Sequence, residues 1–147
     1  MTDQPTSRYG VGYASGVFDM FHVGHLNILR SARSHCETLV VGVASDEYVL
    51  DLKGRAPVIP LVERLEIIES VGIVDEVIID HAEDKRLAHA ERPFDVIFKG
   101  DDWKNTAKGQ RLESDMAELG VAVVYFPYTI HTSSTLLRSY LSRPEAV

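Results

Sequence analysis

Arg8-Tyr-Gly-Val-Gly-Tyr-Ala-Ser15, Gly16-Val-Phe-Asp-Met-Phe-His-Val-Gly-His25 and Leu26 to Cys36 form one continuous stretch from which the fold can be read. The first block has the character of a strand. In the third, Leu26, Leu29 and Ala32 recur at intervals of three, the spacing of a helix face. The middle block carries two glycines and two histidines between them. Glu37-Thr-Leu-Val-Val-Gly-Val-Ala44 then follows as a β-branched, nearly continuous apolar run, the mark of a strand covered on both faces. Strand, polar loop, helix and buried strand together make a parallel crossover unit.

The same alternation continues to the C-terminal end. Asp46 to Leu52 begins a short helix, and Lys53-Gly-Arg-Ala-Pro57 is a basic loop rich in breakers. Leu61 to Val71 has helical spacing, with Gly72 as its expected stop. Strands are expected at Asp75–Ile79, Asp95–Lys99 and Val121–Phe126. Helices are expected at Glu83–Glu91, at Lys108–Leu119 closed by Gly120, and at Ser133–Leu141. Gly100-Asp-Asp-Trp103 reads as a polar loop. The expected fold class is α/β: a Rossmann-like, open, mostly parallel five-stranded sheet with helices on both faces. Ligands in such sheets bind beyond the carboxyl ends of the strands, at the switch point.

Composition narrows the function. The chain has 147 residues, 45% of them hydrophobic and 25% charged, which fits one globular domain over 1–147 with fraying expected before 8 and after 142. Its 22 acids against 15 bases give a formal charge of −7, which argues against coating nucleic acid by bulk charge. A single cysteine, Cys36, excludes a disulfide framework within one chain and a Cys-rich zinc site. The apolar runs are too short to span a membrane, and the polar start lacks a signal-peptide pattern, so a cytoplasmic protein is expected.

Chemistry concentrates after the first strand. Gly16 and Gly24 permit close backbone approach. His22 and His25, three apart at a helix mouth, can turn both imidazoles to one point. The helix N-terminus adds free N–H groups and the positive end of a dipole, which makes an anion site. Walker A and GxGxxG patterns are absent here.

This block resembles the His-x-Gly-His signature of the nucleotidyltransferase superfamily. Phe98-Lys-Gly-Asp-Asp-Trp103 is similar to the Gly-Asp-Asp-Trp segment of glycerol-3-phosphate cytidylyltransferases. Lys53-Gly-Arg55 matches their lysine-bearing loop, and Glu63-Arg64 their helix arginine. The resemblance runs from about Tyr9 to about Leu137. It implies a homodimer and a Mg²⁺-dependent reaction of CTP with a phosphorylated alcohol, glycerol 3-phosphate first, giving a CDP-alcohol and pyrophosphate. An adenylyltransferase using ATP on a cofactor precursor or sugar phosphate is the alternative. It stays open because Tyr128-Thr-Ile-His-Thr-Ser-Ser134 replaces the family's Arg-Thr-Glu-Gly-Ile-Ser-Thr, and Gly72 falls where the family has a second arginine.

The resemblance and the anion-site chemistry assign roles. His22 and His25 donate to oxygens that gain charge in the transition state. Lys53 and Arg55 close over the phosphates, and Arg64 holds a phosphate of the second substrate or pyrophosphate. Gly16, Val17, Phe18 and Gly24 line the nucleotide, while Thr132, Ser133, Ser134 and Thr135 hold its β- and γ-phosphates. Gly100 and Asp102 suit sugar or base contacts, with Trp103, Tyr128 and His131 as further candidates and Lys99 as a phosphate contact or a solvated lysine. Asp19 either orients a histidine or metal-bound water or caps a turn. Mg²⁺ is expected to bridge phosphates and be mostly water-ligated. His35, His81 and His89 read as surface or helix-face residues, Cys36 and Met116 as core. Cations gathered locally in an acidic chain predict a salt-sensitive KM for the nucleotide.

Overall fold

The computed structural model describes residues 8–127 and 133–142. Along them run β1 (Tyr9–Gly16), α1 (Val23–Ser34), β2 (Cys36–Ala44), α2 (Asp46–Lys53), α3 (Leu61–Glu69) and β3 (Glu76–Asp80). Next come α4 (Lys85–Glu91), β4 (Val96–Gly100), α5 (Ala107–Glu118), β5 (Ala122–Phe126) and α6 (Ser134–Leu141). The strands form one sheet in the order β3-β2-β1-β4-β5, every neighbouring pair parallel. The order reverses between β1 and β4, so the crevice beyond their carboxyl ends, at Gly16 and Gly100, is the expected ligand position.

Strand periodicity divides the core into two layers. Ala14, Leu39, Val41, Val43, Val96 and Phe98 face one side and pack with Leu29 and Ala32 of α1 and Ile68 of α3. Tyr13, Val40 and Ile97 face the other and meet Ala88 of α4 and Leu112 and Met116 of α5. Each large apolar side chain removed from water contributes roughly 1.5–3 kcal/mol. Gly42 lies on β2 because Tyr13 crosses it: a Cβ there would stand 1.8 Å from the Tyr13 hydroxyl oxygen.

The element boundaries correct several sequence expectations. Helix α1 begins at Val23 rather than Leu26, so the motif histidines belong to it. Helix α3 ends at Glu69 with Ser70 as its cap, and Gly72 is not a left-handed stop. Gly54 and Gly120 do fill that role, at φ 72° and 69°. Gly100–Trp103 contains a single 3₁₀ turn, Asp101–Trp103. Among the described residues no helix is long and apolar enough to cross a membrane.

Candidate functional site

His22 is the N-cap of α1, and its Nδ1 accepts from the backbone N–H of Gly24 at 3.1 Å. His25, one turn on, returns the arrangement: its Nδ1 accepts from the backbone N–H of His22 at 3.2 Å. A neutral imidazole that accepts at Nδ1 carries its proton on Nε2. Both rings are therefore set as Nε2–H donors by the backbone. His25 is also enclosed by Phe18 and Phe21, each with its ring centroid 5.5 Å away. Burial, then the neighbouring His22, lowers its pKa to about 4, while the Asp19 charge opposes this. Burial lowers that of His22 as well.

The loop that presents these rings is strained. Phe18 and Met20 have φ of 54° and 51°, a left-handed conformation that costs a non-glycine residue about 1 kcal/mol or more. Three contacts hold it. Phe18 is buried in the core. The Ser134 hydroxyl donates to the Asp19 carbonyl at 2.6 Å, tying α6 to the loop. Arg64 Nη1 donates to the carbonyl of Val17 at 2.9 Å.

Arg64 occupies a different place from the one expected. Its side chain is 0% exposed. Besides Val17 it binds the carbonyls of Ala44 and Ile59 and the carboxylate of Asp46 at 2.6 Å. It joins the β1 loop, the end of β2, the start of α2 and the approach to α3, and it does not line the pockets described below. A guanidinium has five donors in a fixed fork, so one side chain can serve four such partners. Asp19, expected either to orient a histidine or metal-bound water or to cap a turn, is engaged with backbone. Its carboxylate accepts from the backbone N–H groups of Val58 and Ile59, both at 2.9 Å, and faces Arg138 Nη1 at 3.4 Å. It fastens the loop after α2 to the loop after β1.

Two cavities adjoin across Ser15, Gly16 and Val17. The first, about 240 Å³, is lined by His22, His25, Lys53, Arg138 and Asp19 and by Ser133, Ser134 and Thr135 at the start of α6. Ser133 caps α6 through its hydroxyl, which accepts from Leu136 N–H. Two imidazole donors, two cations and a helix N-terminus around one cavity have the donor chemistry to bind an anion. Lys53 is the last residue of α2, beside the left-handed Gly54, and reaches both cavities. Arg55 is exposed and lines neither.

The second cavity, about 380 Å³, is lined by Tyr48, Asp80, Lys85, Lys99, Gly100, Asp102, Trp103 and Lys108 among others. Lys85 is 3% exposed and donates to Asp80 Oδ2 at 2.5 Å, to the Ala82 carbonyl at 2.9 Å and to the Tyr48 hydroxyl at 3.4 Å. Lys99 donates to the Ser15 hydroxyl at 3.3 Å. Burial and the charge of Lys85 push its pKa down to about 8, against the attraction of Asp80, Asp102 and Glu83.

The structure therefore gathers His22, His25, Lys53, Ser133, Ser134 and Thr135 in one cavity and Gly100, Asp102 and Trp103 in the other, with Gly16 and Val17 in both. Gly24 serves the cap and is buried. Tyr128, His131 and Thr132 lie outside the described residues. Sequence reasoning missed the buried pair Asp80–Lys85 and the place of Arg138 in the first cavity. A carboxylate at a strand's carboxyl end followed five residues later by lysine was the available signal. Among the described residues no three His, Cys, Asp or Glu side chains are grouped to hold a metal ion.

The family model "cytidylyltransferase-like" matches residues 13–140. An ethanolamine-phosphate cytidylyltransferase of Arabidopsis thaliana is 48% identical over 96 residues, 61% of this chain and 22% of that protein. The bifunctional proteins HldE of Hyphomonas neptunium and Acidiphilium cryptum are 33% and 36% identical over 86% and 88% of this chain. The chain spans about a quarter of the length of these relatives, at 22%, 26% and 27%. A lipopolysaccharide core biosynthesis protein of Thermoplasma volcanium superposes with a TM-score of 0.69 at 29% identity, covering 84% of this chain and 99% of that one. A pantoate-beta-alanine ligase of Francisella tularensis, at 13% identity and a TM-score of 0.59 over 94% of this chain and 67% of that one, shares the fold.

Proposed function

The chain belongs to the cytidylyltransferase-like family of nucleotidyltransferases, and from that premise we propose that it transfers CMP from CTP to a small phosphorylated alcohol, releasing pyrophosphate. The observation that carries the reading is the reciprocal cap of His22 and His25, which leaves Nε2–H as the free donor of two rings lining a cavity shared with Lys53, Arg138 and the start of α6. In this reading an oxygen of the acceptor's phosphate attacks the α-phosphorus in line as the bond to the β-phosphate oxygen breaks. The pyrophosphate takes the bonding electrons with it. Little covalent help is needed; positioning and charge neutralisation supply the rate.

His22 and His25 stabilise the oxygens that gain charge, Lys53 the reacting phosphates, and Ser133, Ser134, Thr135 and Arg138 the leaving pyrophosphate. Arg64 and Asp19 act through the loops they hold. Mg²⁺ bound with the nucleotide would neutralise phosphate charge. Among the described residues Asp19 is the one carboxylate lining the first cavity, and it is engaged with backbone N–H groups. The metal's ligands would therefore be phosphate oxygens and water. A cytoplasmic homodimer completes the reading, and light scattering of the purified chain tests its stoichiometry.

The test is pyrophosphate release with CTP or ATP, Mg²⁺ and a panel of phosphorylated alcohols headed by glycerol 3-phosphate, with His22→Ala as control. Release with CTP, abolished in the variant, supports the proposal. Release with ATP alone moves the enzyme to adenylyl transfer. Release with no pair overturns nucleotidyl transfer to this class of acceptor.

A further inference from the structure

Four lysines line the second cavity, Lys53, Lys85, Lys99 and Lys108, against two carboxylates, Asp80 and Asp102. The four are not equivalent. An ammonium has three hydrogens to donate, and Lys85 spends its own on Asp80, the Ala82 carbonyl and the Tyr48 hydroxyl. It is a fixed, buried cation. Lys99, on β4, has no ion pair among the described residues. Its hydrogen bond there goes to the Ser15 hydroxyl at 3.3 Å. Its Nζ stands 4.4 Å from the centroid of the Trp103 ring. Unlike Lys85, it keeps some exposure to solvent.

A lysine becomes a nucleophile when it is desolvated, lies beside another cationic group and has no carboxylate paired with it. Lys99 meets all three conditions. Burial first and the charge of Lys85 next outweigh the attraction of Asp80, Asp102 and Glu83, so its pKa lies near 8. About one such amine in ten is neutral at pH 7, against roughly one in two thousand for an ordinary lysine. The surroundings also choose the electrophile. An acyl donor would leave a neutral amide against the Trp103 ring and erase the cation that the ring holds. An aldehyde leaves an iminium, which keeps both the charge and the contact. A phosphate carried by that aldehyde is met by Lys53 and Lys108, which line the same cavity without an ion pair among the described residues.

We propose that Lys99 is a covalent-binding site, whose amine condenses reversibly with the aldehyde of a small phosphorylated compound and seats it in the second cavity. The amine lone pair forms a C–N bond to the carbonyl carbon while the carbonyl π pair moves to oxygen. That oxygen takes up the proton the nitrogen gives up, and the Ser15 hydroxyl is placed to relay it. The carbinolamine then expels its oxygen as water as the C=N bond forms. Amine and aldehyde thus give imine and water with no change of oxidation state, and hydrolysis reverses the step. The site does not depend on the nucleotidyl-transfer reading; under that reading, its occupant keeps substrate out of the cavity.

The experiment incubates the full chain at about pH 7 with pyridoxal 5′-phosphate, traps the imine with borohydride and maps the labelled peptides by mass spectrometry. Lys99 is expected to be labelled at least about tenfold faster than the exposed Lys104. It is expected to react faster with this reagent than with pyridoxal, which lacks the phosphate. Lys99→Arg keeps the charge without a nucleophilic amine, and should lose the label from the cavity while Lys104 is labelled as before. Label spread evenly over the exposed lysines, or concentrated at Lys53 or Lys108 with Lys99 unmodified, overturns the assignment. Equal rates with pyridoxal and its phosphate overturn the choice of a phosphorylated aldehyde. An unreduced adduct that survives dialysis overturns reversibility. The readout is mass, so it is independent of whether the chain turns over CTP.

Discussion

The ring of His22 stacks on that of His25 with centroids 3.9 Å apart and 28° between planes. Two imidazolium ions cannot share that spacing cheaply, so the pair is built for the neutral state. His25 is expected to titrate near pH 4 rather than 6.5, by burial first and then by His22. Its folded pKa is depressed, so the unfolded chain takes up the proton first. The related stability is complete above pH 6.5 and declines as pH falls toward about 4. Proton NMR of the His25 ring reads the midpoint, and a midpoint at or above 6.5 would contradict the geometry.

Replacing His22 by Ala removes both a transition-state donor and a helix cap. The expected losses are roughly a hundred- to a thousandfold in kcat and about 1 kcal/mol in stability. Urea unfolding beside single-turnover rates separates the two. A rate loss no larger than the loss of folded protein would reduce His22 to a cap.

Arg64→Met leaves the Asp46 carboxylate and three carbonyls without their partner. The Asp46 carboxylate is 39% exposed and rehydrates, so the loss comes from carbonyls left without a donor, about 1–3 kcal/mol. The urea midpoint should fall accordingly. An unchanged midpoint with a raised substrate KM would mean that Arg64 contacts phosphate after all.

Lys99 gives the second cavity its own pH dependence. Lys53, Lys85, Lys108, Asp80, Asp102 and Glu83 surround it, and its pKa lies near 8. It is charged below that value and neutral above. Under the proposed function, kcat/KM for the substrate that the second cavity holds should therefore decline as pH rises through about 8, and Lys99→Met should flatten that limb. Persistence of the limb in the variant would point to another group.

The Tyr13 hydroxyl is buried with no hydrogen-bond partner among the described residues, against the bare face of Gly42. Removing an unsatisfied buried hydroxyl while keeping the ring stacked on Phe94 at 4.6 Å should raise stability. Tyr13→Phe is expected to gain about 1 kcal/mol in urea unfolding. A loss would reveal a partner for the hydroxyl.

The parallel sheet was legible because strand and helix periods alternate cleanly and β2 is apolar on both faces. The meeting of His22 and His25 at one cavity was legible because they are three apart beside glycines. The start of α1 was not, since histidine is outside the usual set of N-caps and its Nδ1 reveals itself as an acceptor only in three dimensions. The role of Arg64 was hidden for a similar reason. An arginine on a helix reads as a free cation until the carbonyls of Val17, Ala44 and Ile59 converge on it from distant segments. The pairing of Lys85 with Asp80 also depends on a turn that periodicity does not describe.

Trp103 is the single tryptophan of the chain. It lies in the wall of the second cavity with the ammonium groups of Lys99 and Lys108 near its ring. The indole is thus a built-in optical reporter. Any occupant that draws those charges toward itself changes the field across the chromophore, so filling of this cavity can be followed by emission without a label and before any turnover.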